Sequence, residues 1–221
     1  MKLSDRLLHI ISERHLLNHP FYQAWTEGKL DRQVLRRYAG QYWAQVSTFP
    51  RFVSAVHSRC EELDARKVLT ENLADEEIHG TDHPELWMQF AEGLGASRAE
   101  VKEQAPLPET KAMVDTFFQL AQSEWTDGLC ALFAYESQVP AVSQSKIEGL
   151  QRFYGITDER SLAFFKVHQR YDVEHARKVG ELIDRHAHAP AAERATRQAT
   201  DALWGFLDGI SREAGISCPS H

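Results

Sequence analysis

The chain has 221 residues, of which 43% are hydrophobic and 26% charged, so it can bury a sizeable core and does not read as disordered. A formal charge of −7 with no dense Lys/Arg block argues against a nucleic-acid backbone or an anionic membrane as main partner. Cys60, Cys130 and Cys218 are odd in number and lack metal-type spacing, which excludes a disulfide framework or a zinc knot and leaves free thiols.

Met1 to Leu17 breaks its apolar residues with Asp5, Arg6, His9, Ser12, Glu13 and Arg14, giving an amphipathic helix rather than a signal peptide. No apolar run is long enough to span a bilayer, and the expected location is cytoplasmic. Asp31 caps a second long helix in which Val34, Leu35, Tyr38 and Tyr42 share a face, with a kink expected at Pro50. Helices follow from about Asp64 to His79 and from Pro84 to Leu94, closed by Gly80 and Gly95. Ala105 to Pro108 reads as a connection. Met113 to Ser137 reads as one long helix stopped near Pro140, and Val142 to Phe153 as a shorter one ending by Gly155. Ser161 to His186 has helical periodicity in Leu162, Phe165, Val167, Tyr171, Val179 and Leu182, and Ala191 to Ile210 forms the last helix. With no alternating β pattern and no internal repeat, the reading is an all-α bundle in one domain over 1–213, with 214–221 as a flexible tail.

Three groups of polar residues interrupt this apolar pattern. His168, Asp172 and His175 fall at i, i+4 and i+7 of one helix and therefore share a stripe. Two imidazoles and a carboxylate suit iron or manganese, and Asp172-x-x-His175 matches the carboxylate-x-x-His unit of dimetal bundles. Asp75, Glu76, Glu77, His79, Asp82 and His83 crowd a second stretch, which alone reads equally as a solvated acidic face. Glu136 lies in the apolar run Leu132–Tyr135, where a carboxylate needs a metal or a partner such as Lys146 or Arg170. Glu76 and His83 would stand about 10 Å apart on a regular helix. A break at Gly80 or two metals a few ångströms apart would relax this constraint; otherwise Glu76-x-x-His79 fits one ion better, and periodicity does not choose between His83 and His79.

Taken together, Glu76-x6-His83, Tyr135-Glu136 and His168-x3-Asp172-x2-His175 resemble the haem-oxygenase-like dimetal oxidases. His19-Pro20-Phe21-Tyr22, Gly40-Gln41-Tyr42-Trp43, Glu71-Asn72-Leu73 and Pro84-Glu85-Leu86-Trp87 resemble the CADD family, named for a chlamydial protein associating with death domains, over roughly Leu3 to His186. The resemblance implies a haem-oxygenase-like bundle of about seven helices and an oxygen-dependent dimetal centre forming p-aminobenzoate for folate. Its implied ligands are Glu76, His83, Glu136, His168, Asp172 and His175, holding Fe/Fe or Mn/Fe and using dioxygen and an external reductant. It further implies that the ring derives from a tyrosine of the chain itself, matched by Tyr22, with Lys146 matching the amine donor and Tyr38 and Tyr135 the nearby relay aromatics. On residue type alone Tyr22 is a core tyrosine and Lys146 a solvated lysine.

Other classes make different demands. A related hydrolase of thiamin fragments uses a helical cysteine, for which Cys130 is the nominal match, but Ala134 stands where an aromatic is expected. A cofactorless oxidase completing pyrroloquinoline quinone would need no metal, haem oxygenase would need an N-terminal histidine such as His9, His15 or His19, and a protein-interaction module would need no chemistry at all. The electron donor is not encoded in any motif, and the apolar helix faces are compatible with a homodimer.

Overall fold

A computed structural model describes residues 1–218; residues 219–221, the end of the expected tail, lie outside the described residues. The helices are α1 (Leu3–Glu13), α2 (Pro20–Thr26), α3 (Arg32–Arg59), α4 (Leu63–Glu77), α5 (His83–Gly93), α6 (Arg98–Glu103), α7 (Pro108–Gln122), α8 (Trp125–Glu136), α9 (Val139–Phe153), α10 (Glu159–His186) and α11 (Ala189–Glu213), with a 3₁₀ turn at Leu16–Asn18. The described residues contain no strand, and no helix is long and apolar enough to cross a membrane.

The two longest helices carry the architecture. α3 packs on α4, α5, α7 and α8, and α10 packs on α5, α8 and α9, while α11 closes the bundle against α7, α8 and α1. Asp31 caps α3 by accepting from Val34 N–H, and the helix continues through Pro50 to Arg59. Between α3 and α10 lies an aromatic core containing Phe21, Trp25, Tyr38, Trp87 and Phe165, all fully buried. Trp87 donates its indole N–H to Ala39 O at 2.9 Å, so its burial, worth about 2–3 kcal/mol, leaves no orphan donor.

Several elements differ from the sequence reading, each for a local reason. The first helix stops at Glu13, because residues 15–26 form two further capped segments: His15 Nδ1 accepts from Leu17 N–H and His19 Nδ1 from Phe21 N–H, with Pro20 opening α2. The single helix expected over 113–137 is two. Ser123 Oγ caps the Leu120 carbonyl at 2.8 Å, and Arg59 Nε donates to the Ser123 carbonyl, which ends α7 before Trp125 begins α8. Pro140 opens α9 instead of acting as a stop, since proline is tolerated in a helix's first turn. These breaks, together with the short α2 and α6, raise the helix count above the seven implied by resemblance. Past the end of α11, Ile216 N–H donates to Ser211 O at 2.9 Å and its side chain packs on the core.

Candidate metal centre

Four helices bring the six acidic and imidazole side chains into the interior. Glu76 lies in the last turn of α4, His83 opens α5, Glu136 ends α8, and His168, Asp172 and His175 line one stripe of α10. All six are buried, with at most 6% exposure. They divide into two triads, Glu76/His83/His168 and Glu136/Asp172/His175, each offering three ligand atoms within 4.8 Å of one another. The bend that Glu76 and His83 require is present. After α4 ends, Ile78 and His79 N–H both return to Ala74 O at 2.8 Å, and Gly80 takes φ +79°, a region that a side chain would disfavour. Asp82 then caps α5 through Glu85 N–H at 2.7 Å, bringing His83 Nδ1 to 2.8 Å from Glu76 Oε2. His79 falls outside the group; it is exposed, with Nδ1 2.8 Å from Asp75 Oδ1.

The ring orientations leave specific atoms facing inward. His168 donates Nδ1–H to Phe164 O at 2.7 Å, which leaves Nε2 as the free lone pair. His175 Nε2 pairs with Asp75 Oδ2 at 2.8 Å, turning Nδ1 toward Glu136 and Asp172 at 3.7 and 3.8 Å. Asn72, one turn before Glu76, donates to Glu136 Oε1 at 2.5 Å. Four ligand atoms then remain buried without a hydrogen-bond partner: His83 Nδ1, Glu136 Oε2, Asp172 Oδ2 and His175 Nδ1. His83 Nδ1 is near Glu76 Oε2 but outside hydrogen-bonding geometry, as two lone pairs converging on a common point would be. Orphaned polar atoms are rare in folded interiors and costly there. Here they cluster at one place.

Charge repulsion and burial shape the site as well. Burial raises the Glu136 carboxyl to about 8 and the Asp172 carboxyl to about 6, with the neighbouring carboxylates adding to both. Burial pulls the His175 imidazole down, but Asp172, Glu136 and Asp75 outweigh it and raise it to about 9. Burial and the adjacent His83 hold His168 well below its usual value, so it is neutral. A cluster of three carboxylates and three imidazoles whose protonation is this strained would be relieved by a cation at each triad.

Beside the triads lies a layer of phenols. Tyr22, Tyr38, Tyr42 and Tyr135 are buried, with Tyr22 OH 3.1 Å from Tyr38 OH and Tyr42 OH 2.7 Å from Tyr135 OH. Lys146 is not solvated. Its Nζ donates to Tyr38 OH at 2.6 Å and stands 4.9–5.9 Å from six aromatic rings, including 5.4 Å from that of Tyr22. Burial alone pushes its pKa down to about 7. The approach of α9 to α2 depends on Gly149, one turn after Lys146, where a Cβ would sit 2.6 Å from Trp25 Cδ1.

Comparison with known proteins bears on this arrangement. Residues 36–207 match the family model described as an iron-containing redox enzyme. A protein of Nitrosomonas europaea named 4-aminobenzoate synthase is 45% identical over 91% of this chain and 87% of its own length. A Chlamydia muridarum protein of the same name is 38% identical over 100% of this chain and 94% of its own. The chain belongs to the CADD family of haem-oxygenase-like redox enzymes. Its fold is shared more widely: a TenA homolog of Pseudomonas syringae superposes with a TM-score of 0.82 over 94% of this chain and 92% of that one, at 18% identity.

Two features of this CADD-family chain separate it from the cysteine hydrolase and from haem oxygenase. Burial raises the Cys130 thiol to about 12, which makes it an inert core residue and a poor nucleophile. His15 and His19 serve as helix caps, with His19 Nε2 also 3.1 Å from Asp208, and His9 is exposed on α1, so none is presented to a haem. The sequence reading did not single out Asn72 or Asp75 as supports, nor Tyr42 as a member of the phenol layer. The signal for Asn72 was its place four residues before Glu76, on the same helix face.

Proposed function

We propose that this chain forms p-aminobenzoate in an oxygen-dependent reaction at a dimetal centre, taking the ring from Tyr22 and the amino group from Lys146. The observation that carries the reading is the pair of buried triads with four unpartnered ligand atoms, set beside a buried lysine that is hydrogen-bonded to the phenol layer. Glu76, His83 and His168 would hold one ion and Glu136, Asp172 and His175 the other. Three imidazoles and three carboxylates suit both Fe/Fe and Mn/Fe, and cellular supply selects between them. When bound, such a pair supplies the activation of dioxygen, with electrons from an external reductant.

The chain's own groups do the rest. Asp75 and Phe164 O fix the imidazole tautomers of His175 and His168. Asn72 orients Glu136. The aromatic walls exclude water from Tyr22, whose hydroxyl is kept protonated by burial. Among the described residues Lys146 has no carboxylate partner, which favours the neutral amine that a nucleophilic role requires. The relatives named 4-aminobenzoate synthase support the same product. The test is Tyr22→Phe, which keeps the ring's volume and removes the hydroxyl. Metal content at the wild-type level with no p-aminobenzoate supports the assignment; normal product from that variant rejects it.

A further inference from the structure

His79 rivals His83 as a ligand in the sequence, and the structure leaves it outside both triads. It is still connected to one of them. Asp75, in the last turn of α4, lies between two imidazoles: its Oδ1 is 2.8 Å from His79 Nδ1 and its Oδ2 is 2.8 Å from His175 Nε2. One carboxylate therefore joins a side chain that is 63% exposed to a ligand buried in the metal centre. The backbone fixes this geometry. His79 lies just beyond the end of α4, and its N–H donates to Ala74 O at 2.8 Å, which curls the chain so that the ring returns to Asp75. Asp75 is itself 20% exposed, so a single bond to His175 would leave its carboxylate free to turn toward water; the bond from His79 closes that rotation. His168 is fixed differently. Its Nδ1–H donates to a backbone carbonyl, Phe164 O, inside a helix, which cannot turn away. The orientation of His175 depends instead on two side chains at the surface.

We propose, on the reading that Glu136, Asp172 and His175 hold one of two ions, that His79 is a positioning residue for His175, acting through Asp75. His79 donates Nδ1–H to Asp75 Oδ1, and Asp75 Oδ2 accepts Nε2–H from His175. His175 Nδ1 is then the lone pair, turned toward Glu136 and Asp172 at 3.7 and 3.8 Å. The Nδ1–H donor exists in the neutral tautomer of His79 and in the imidazolium alike, so the role requires no charge on that ring. Without His79 the Asp75 carboxylate turns outward and His175 loses the partner that sets its tautomer and its ring orientation. The ion at Glu136, Asp172 and His175 is then held less tightly, whereas the ion at Glu76, His83 and His168 keeps its ligands as they are.

The test is an anaerobic competition titration of the metal-free full chain with Co(II), reading the two stepwise dissociation constants and the visible absorption of the bound ions. It compares wild type with His79→Ala, His79→Asn, Asp75→Asn and the double variant His79→Ala/Asp75→Asn. Asn places an amide N–H at the same reach from the backbone as Nδ1. His79→Ala is expected to raise one of the two constants about 3–10-fold, less than the loss of Asp75 itself, to shift the absorption of that ion, and to leave the other constant unchanged. His79→Asn should restore both readouts. In the Asp75→Asn background His79→Ala should add nothing, because its effect passes through that carboxylate, whereas a merely structural role would be additive. Since His79 is exposed, the helical content and urea midpoint of the metal-free variants should match wild type. Unchanged constants in His79→Ala, an equal loss at both ions, or a full further loss in the Asp75→Asn background overturns the role of His79 while leaving the dimetal reading intact. A wild type that binds no Co(II), or a single ion, overturns the dimetal reading and this role with it.

Discussion

Replacing Lys146 with methionine should make the metal-free protein more stable at neutral pH, although it removes a hydrogen bond. Lys146 is buried among six rings with no counter-charge among the described residues, and its pKa falls from the usual 10.5 to about 7. Between those two values the unfolded chain binds the proton and the folded chain does not, so this group makes stability rise with pH across that window, by about 1.4 kcal/mol per pH unit. At pH 7 the accumulated cost is about 4 kcal/mol. Met fills a similar volume without it, and the lost bond to Tyr38 OH returns roughly 0.5–1.5 kcal/mol. The expected gain for Lys146→Met is therefore about 3 kcal/mol at pH 7, shrinking to zero or slightly below by pH 10.5. Urea unfolding of both metal-free proteins at several pH values isolates this term, because every other titration cancels in the difference. A difference that does not change with pH would refute the argument and mean that Lys146 is solvated or paired when folded.

Two further predictions concern the acid and imidazole cluster. Asp75→Asn removes the carboxylate that orients His175 through Nε2, and should weaken metal binding by about 10–100-fold while leaving the helical content unchanged; equal affinity in a competition titration would show that Asp75 has no orienting role. Metal uptake should also depend on pH. Glu136 and Asp172 are raised to about 8 and about 6 and His175 to about 9, so at pH 7 the empty cluster carries protons that ligation must displace. Affinity is then expected to rise from pH 6 to pH 9, with at least about one proton released at pH 7. Calorimetry in two buffers of different ionisation heat checks this, and a heat independent of buffer would contradict it.

What could be read from the sequence was what lies within one helix. The stripe His168, Asp172 and His175 follows from the helical period, and in the structure all three face the interior. Glu76 and His83 were ambiguous because their meeting depends on a turn at residues 78–82, in which Gly80 takes a left-handed conformation that no periodicity encodes. Lys146 read as solvated because its neighbours Gln144 and Ser145 are polar; its burial is decided by α2, through the contact of Trp25 with Gly149. The break between α7 and α8 was invisible for the same reason. One of its fixing contacts comes from Arg59, 64 residues earlier. Glu136 was legible as a carboxylate in apolar company suited to a metal, whereas Asn72, which donates to its Oε1, was not.

The most direct test of the central claim is elemental analysis of the protein after anaerobic loading with iron and manganese, followed by oxygen and reductant and mass spectrometry of chain and small molecules. The account predicts about two metal ions per chain, one for each buried triad, then p-aminobenzoate together with a mass loss located at Tyr22. A chain that takes up no specific metal, or that makes p-aminobenzoate with its Tyr22 side chain intact, would contradict it.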